Sequence, residues 1–67
     1  MLEMGQKIRE LRRSNGLSQT DLAKVLKVSQ DTISLWELNK STPDAESIVG
    51  LSKTFGVSTD YLLGVGD

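Results

Sequence analysis

The chain has 67 residues, a formal net charge of −1, and neither cysteine nor histidine. Disulfides, the usual zinc sites and histidine-based catalysis are therefore excluded. A chain of this length supports one domain, so we assign residues 1–67 to a single domain, which can be the N-terminal part of a longer protein. No apolar run approaches the roughly 18 to 20 residues that span a bilayer, so we expect a cytoplasmic protein without a membrane partner.

The remaining side chains do not point to catalysis. The carboxylates of Asp44 and Glu46 lie at a predicted helix N-terminus, where capping and the helix dipole account for them. Neither a glycine-rich phosphate loop nor a nucleophile beside a base is visible. We therefore expect no catalytic residue, no metal ion, no other cofactor and no enzymatic activity.

Charge is unevenly distributed along the chain. Residues 1–28 carry six basic and three acidic side chains, whereas residues 29–67 carry two basic and six acidic ones. The acidic total argues against indiscriminate nucleic-acid binding, because that binding grows with the number of phosphates neutralised. A local basic surface in the first half is still compatible with a polyanionic partner.

Stop and start signals delimit the first two helices. Apolar residues recur at helical spacing over residues 3–14, and the Asn-Gly pair that follows favours a left-handed stop. Ser18 and Asp21 then form an approximate capping box. The pattern predicts a first helix over residues 3–14 and a short second helix over about residues 18–26.

A third helix follows after about three residues. Ser29 can cap its start, and Asn39 can adopt the left-handed conformation that ends it. We therefore predict a helix over about residues 29–38, joined to the second helix by a tight turn.

Two further helices complete the fold. Pro43 suits the first position of a fourth helix, whose apolar stripe ends at Gly56. Ser58 and Thr59 start a short last helix, and the residues from Gly64 onward are predicted to be a tail. The fold class is therefore all-α, a compact five-helix bundle.

The apolar stripes of these helices converge on one predicted core. Trp36 falls with Ile33 on the inner face of the third helix, so we assign this tryptophan to the core rather than to base stacking. Ala23 is small because the third helix must cross close to the second. The other predicted core residues are Ile8, Leu11, Leu17, Leu22, Leu26, Val28, Ile48, Leu51, Phe55, Val57 and Leu62.

The outer face of the third helix has an unusual composition. It carries Gln30, Asp31, Ser34, Leu35 and Leu38. Exposed leucines beside a carboxylate make a poor solvated face, which favours contact with a partner. A short helix offered by a tight turn after another helix is also the geometry that presents side chains to a DNA major groove, although many small helical domains contain such a pair.

Two stretches carry a resemblance to a known family. "GLSQTDLAKVLKVSQDTISLWELNKSTPD", followed by "FGVSTDYLLG", resembles the helix-turn-helix domain of the XRE-type, phage Cro and repressor family, over roughly residues 8–64. The resemblance implies a lambda-repressor-like bundle in which helices 2 and 3 form the helix-turn-helix. It further implies a bacterial or phage transcriptional regulator, which we expect to be a repressor, that binds double-stranded operator DNA as a homodimer.

The resemblance also implies roles for individual residues. Gln19 looks like the family's glutamine that contacts phosphate and braces the recognition helix. The implied base-reading residues are Gln30, Asp31, Ser34 and Leu35. The implied backbone-binding residues are Gln19, Lys27, Ser29, Lys40, Ser41 and Thr42.

The chemistry of three base-reading side chains suits particular bases. Gln30 can pair with the N6 and N7 edge of adenine, Asp31 can accept from the exocyclic amine of cytosine, and Leu35 can cover a thymine methyl group. Leu38 lies a turn further along and is expected against sugar rather than base.

Three positions depart from the family pattern. Lys27 stands in the turn where glycine is common, and a left-handed conformation there would cost about 1 to 2 kcal/mol. Leu35 and Leu38 stand where relatives frequently carry polar or basic residues. These leucines leave an alternative open, in which the domain is mainly a protein-interaction module or antitoxin that docks a protein partner through Leu35 and Leu38.

Two further contacts are expected. Arg12 and Glu37 match family positions that form an internal ion pair, which would join the first helix to the end of the third. In the last helix we assign Leu62 to the core, and we assign Leu63 with Val65 to a two-fold dimer interface.

Overall fold

A computed structural model describes residues 3–65, which form five helices. They are α1 (Met4–Ser14), α2 (Gln19–Leu26), α3 (Gln30–Glu37), α4 (Ala45–Phe55) and α5 (Thr59–Leu63). α1 packs against α3, α4 and α5, while α2 packs against α3 and α4. The predicted all-α five-helix bundle is confirmed. Within residues 3–65 no helix is long and apolar enough to cross a membrane.

Side-chain caps start the helices after α1. The hydroxyl of Ser18 accepts from the Asp21 N–H at 3.0 Å, and the hydroxyl of Ser29 accepts from the Thr32 N–H at 3.2 Å. Ser58 caps α5 in the same way. The predicted caps Ser18 and Ser29 are therefore confirmed and Ser58 adds a third, each satisfying a backbone donor that the helix leaves free.

The start of α4 differs from the prediction. Asp44 caps the helix, as expected of its carboxylate, which accepts from the Ser47 N–H at 2.8 Å. That backbone hydrogen bond lowers the pKa of Asp44. The assignment of Pro43 to the first helical position is wrong; Pro43 lies one residue before the cap and is buried.

Left-handed residues end or follow the helices. Asn39 adopts the predicted left-handed conformation, with φ 59°, and Gly56, at the predicted end of the α4 stripe, has φ 66°. At the end of α1 it is Gly16, with φ 70°, that supplies the left-handed conformation. Lys27 also takes the left-handed conformation, with φ 60°, so this turn carries a strain of about 1 to 2 kcal/mol that a glycine would not.

The core lies where the five helices meet. Its buried apolar residues are Ile8, Leu22, Ala23, Ile33, Trp36, Ile48, Leu51 and Leu62. Partly buried residues pack around them, namely Met4, Leu11, Leu26, Val28, Phe55 and Val57. The assignment of Trp36 is confirmed. Leu17 was wrongly predicted, since it is only half-buried in the turn before α2 and lies outside this cluster.

The backbones of α1 and α3 approach each other most closely at Gly5. A Cβ atom on Gly5 would lie 2.2 Å from the Trp36 carbonyl oxygen and 2.7 Å from Asn39 Oδ1. The Gly5 N–H donates to Asn39 Oδ1 at 2.9 Å. Glycine at this position therefore lets α1 fix the end of α3 and the loop that follows it.

We expect Gly5→Ala to lower the free energy of unfolding by about 2 kcal/mol, because the methyl group meets backbone that cannot move aside. Gly50→Ala is the matched control. Its Cβ would meet only Leu26 Cδ2, at 2.9 Å, the end of a flexible side chain, and alanine favours the helix by about 1 kcal/mol. Urea denaturation measures both variants, and equal effects would contradict the close approach.

Candidate nucleic-acid interface

α2 and α3 form a helix pair joined by residues 27–29. Left-handed Lys27 reverses the chain, and the Val28 N–H donates to the Ala23 carbonyl at 3.0 Å. Val28 packs against the core and Ala23 is buried, which brings α3 close to α2. Since Ile33 and Trp36 hold the inner face of α3 in the core, the opposite face is turned outward.

The outer face of α3 is exposed as predicted. Gln30 and Asp31 are exposed, and so are Leu35 and Leu38, at 42% and 60% of their reference areas. Ser34 is half-buried, since it lines a cleft between α1 and α3. The structure thus brings the four proposed base-reading residues together on one helix.

A buried ion pair joins α1 to the last turn of α3. Arg12 Nε donates to Glu37 Oε2 at 2.6 Å, and Arg12 Nη2 donates to Glu37 Oε1 at 3.1 Å. A third donor, Nη1, reaches the Leu17 carbonyl oxygen at 2.8 Å. The predicted pairing of Arg12 with Glu37 is confirmed.

Both members of this pair are held in their charged forms. Burial by itself would raise the pKa of Glu37, but hydrogen bonds from Arg12 and Gln19, and the nearby charges of Arg12 and Arg9, lower it below its usual value. The hydrogen bond to Glu37 raises the pKa of Arg12. The carboxylate of Glu37 is therefore a permanent acceptor at neutral pH.

Gln19 connects this ion pair to the outer face of α3. Its Nε2 donates to Glu37 Oε1 at 3.1 Å, and its Oε1 accepts from Gln30 Nε2 at 2.5 Å. The bracing contact that the resemblance implies is present. A contact between Gln19 and phosphate stays a prediction.

The other proposed backbone-binding residues lie at the two ends of α3. Lys40, Ser41 and Thr42 are exposed in the loop after the helix, and the Lys40 N–H donates to the Leu35 carbonyl at 2.9 Å. At the start of α3 the exposed side chain of Ser29 caps the helix. Exposed Lys27 precedes it.

The structure adds Arg9 and Arg13 to the basic surface. These exposed side chains line the cleft whose other walls include Gln19, Ser34 and Leu38. The helical spacing of four residues between Arg9 and Arg13 could have identified them as one cationic face. The charge count alone could not, because it gave every basic residue of the first half the same weight.

Lys7 shows why that charge count was misleading. It is buried, its Nζ donates to the Tyr61 carbonyl at 2.7 Å, and it lies 4.9 Å from the centre of the Tyr61 ring. Arg12 is likewise occupied inside the fold. The basic side chains exposed in the first half are Arg9, Arg13, Lys24 and Lys27.

α5 divides its leucines between the core and the surface. Leu62 is 1% exposed, whereas Leu63 and Val65 are 48% and 53% exposed, with half-exposed Tyr61 beside them in the chain. The inward assignment of Leu62 is confirmed. Whether Leu63 and Val65 form a dimer contact stays a prediction.

The described residues contain no cluster of three or more acidic side chains that could hold a metal ion. The site consists of an exposed helix face, a basic cleft beside it and a polar loop. Such a surface can offer hydrogen-bond donors, acceptors and methyl groups to a partner, with cationic side chains on its flanks.

Comparisons with known proteins give consistent matches. A family model described as helix-turn-helix matches residues 8–62. The chain is 42% identical over 62 residues to the HTH-type transcriptional activator BcrR of Enterococcus faecalis, covering 92% of this chain and 30% of BcrR. The chain spans about half the length, or less, of the curated relatives that it matches.

Two solved structures are similar in fold. The P22 c2 repressor protein in complex with a synthetic operator superimposes with a TM-score of 0.88 at 37% identity, covering 92% of this chain and 94% of that chain. SinR of Bacillus subtilis in the SinR/SinI complex gives a TM-score of 0.81 at 31% identity, covering 90% and 59%.

We expect Glu37→Gln to lower the free energy of unfolding by about 3 kcal/mol at pH 7, because Arg12 would keep its buried charge without a carboxylate partner. Since the pKa of Glu37 is lowered by folding, its stabilising contribution is present above the ordinary value of 4.5 and is lost as the pH falls through the folded-state pKa. The difference between wild type and variant should therefore shrink in acid. Urea denaturation from pH 7 to pH 3 measures it, and a constant difference would contradict the assignment.

Proposed function

The chain belongs to the helix-turn-helix family, and on that basis we propose that it is a sequence-specific DNA-binding transcriptional regulator, more specifically a repressor. It inserts α3 into the major groove of double-stranded operator DNA. The observation that carries the proposal is the exposed outer face of α3, which is braced from behind by Gln19 and flanked by cationic side chains. The similar fold of the P22 c2 repressor, solved with its operator, supports the same mode of binding.

The outer face of α3 supplies the sequence preference. Gln30 reads adenine, Asp31 reads the cytosine amine and Leu35 covers a thymine methyl group, with Ser34 able to donate or accept. Asp31 acts as a selector, since its charge repels phosphates everywhere and is compensated only where a cytosine amine is within reach. This arrangement favours specific over non-specific binding in a chain of net charge −1.

Residues around α3 position the domain on the sugar-phosphate backbone. Arg9 and Arg13 form the basic wall of the cleft beside α3, and Leu38 on the facing wall packs against sugar. The loop after α3 and the turn before it contact further phosphates. The proposed backbone-binding residues are Arg9, Arg13, Gln19, Lys27, Ser29, Lys40, Ser41 and Thr42.

The regulator binds its operator as a homodimer. Leu63 and Val65, exposed on and after α5, form the two-fold contact, with Tyr61 at its edge. A patch of this size gives weak association in solution. Dimerisation becomes stronger on DNA, because the two half-sites hold both copies at a high effective concentration.

A second function is favoured by the same two leucines. Leu35 and Leu38 together expose apolar surface that could dock a protein partner, as in an interaction module or antitoxin. SinR, which is similar in fold, was solved in complex with the SinI protein. The salt dependence of DNA binding distinguishes the two functions. A domain of net charge −1 that only docks proteins should show no duplex-DNA affinity that falls steeply with salt concentration.

We expect the logarithm of the affinity for duplex DNA to fall linearly with the logarithm of the salt concentration. Arg9→Gln and Arg13→Gln should each reduce that slope by about 1 and weaken binding equally on all sequences. Lys53→Gln is the control, since exposed Lys53 lies on α4 and does not line the cleft that contains Arg9 and Arg13. Fluorescence anisotropy measures the slopes. Absence of salt-dependent binding would favour protein docking, and slopes equal to that of the control would remove α1 from the DNA interface.

We expect Leu63→Glu to abolish cooperative binding to a two-half-site operator while leaving half-site binding unchanged, because like charges would meet across the two-fold axis. Val49→Glu is the matched control, since Val49 is also about half-exposed, at 45%, but lies on α4. Gel-shift titrations on whole and half operators measure both. Unchanged cooperativity in Leu63→Glu would show that the dimer forms elsewhere.

A further inference from the structure

A directed chain of hydrogen bonds runs from the buried ion pair to the base-reading face. An ionised carboxylate accepts but never donates, so Gln19 must turn its NH2 group toward Glu37. The Gln19 oxygen then points the other way, and only a donor can meet it. Gln30 therefore turns its own NH2 group toward Gln19, in agreement with the observed contacts.

This order decides which atoms Gln30 leaves free. One N–H of Gln30 is engaged by Gln19, and the remaining edge of the amide presents the Oε1 acceptor beside the second N–H donor. Adenine offers the complementary pair in the major groove, its N6 amine and its N7 acceptor. The reversed amide would leave both of its N–H donors free, which can match the N7 and O6 acceptors of guanine.

We propose that Glu37 sets the purine preference of the recognition helix, by holding Gln30 through Gln19 in the orientation that reads adenine and rejects guanine. The proposal rests on the proposed function, in which α3 reads bases. Glu37 is a positioning residue in this account, because it acts through Gln19 and lies behind the face that meets DNA.

The buried charge is what makes the orientation definite. Two glutamine amides facing each other alone could exchange donor and acceptor roles at little cost, since either order makes one hydrogen bond. The Glu37 side chain is only 5% exposed and is paired with Arg12, so its carboxylate cannot turn to water for other donors. Charge-assisted hydrogen bonds are about twice as strong as neutral ones, and this bond fixes the order of those that follow.

Gln19→Lys tests the proposal without breaking the ion pair. Lysine is a donor only, so it can still contact the Glu37 carboxylate, but it offers no acceptor to Gln30. Gln30 should then turn its oxygen toward residue 19 and its NH2 group toward the groove. We expect the preference for adenine over guanine at the base pair read by Gln30 to fall about tenfold or more, with preferences at the other pairs unchanged.

Selection from random duplexes gives the operator of the wild type, and Gln30→Ala identifies the base pair that Gln30 reads. Anisotropy titrations then compare adenine and guanine at that pair. Thr20→Lys is the matched control, because it adds the same charge at the exposed neighbouring position on α2. It should tighten binding to both duplexes equally and keep the adenine preference.

Glu37→Gln provides a second readout. A neutral amide at residue 37 can donate or accept a hydrogen bond, so it allows either orientation of the Gln19 amide. The adenine preference of this variant should weaken without a gain for guanine. A thermal unfolding curve with its transition above the assay temperature shows that the variant is folded during the assay. Equal changes on the adenine and guanine duplexes in Gln19→Lys would overturn the proposal, as would a wild type without adenine preference at the pair lost in Gln30→Ala. A wild type that does not bind duplex DNA at all would instead overturn the proposed function, and the inference with it.

Discussion

The buried pair of Arg12 and Glu37 is the interaction on which the arrangement of the helices depends. An exposed ion pair contributes about 0 to 1 kcal/mol, and a buried one gains little over apolar packing because both charges lose their hydration. Its value here is geometric: one guanidinium holds α3 through the carboxylate and the turn before α2 through the Leu17 carbonyl. This single pair of side chains therefore ties together α1, α2 and α3, whose packing is completed by the core and by the close approach at Gly5.

α3 has eight residues, which is too short to be stable as an isolated helix in water. Its stability comes from tertiary contacts on one side only, namely buried Ile33 and Trp36, the backbone of α1 at Gly5, and the ion pair of Glu37 with Arg12. The outer side chains contribute little to folding and can be chosen for contact with a partner. This division explains how a carboxylate and two leucines can occupy an exposed face without disturbing the bundle.

Local signals predicted most of the fold. Serine caps, left-handed stops and apolar spacing located all five helices, because each signal acts within a few residues of the chain. Pro43 was misplaced because the Asp44 carboxylate competed for the same boundary. Gly5 and Lys7 were missed for a different reason: their roles depend on which helices touch, and spacing along one helix does not reveal what packs against it. The polar network at Gln19 was accessible only in part, since the resemblance implied the brace but not its direction.

α1 packs against both α3 and α5, the helices that carry the proposed base-reading face and the proposed dimer contact. Gly5 and Arg12 fasten it to α3, and Lys7 fastens it to the last turn of α5. Its 11 residues make a rod of about 16 Å, so a single short helix is fastened to both α3 and α5. In the proposed homodimer, a rigid α1 would link the contact on α5 to the face of α3 that meets DNA, so the half-site spacing that the pair accepts, about 34 Å for one turn of DNA, would depend on α1 as well as on the two surfaces that meet a partner.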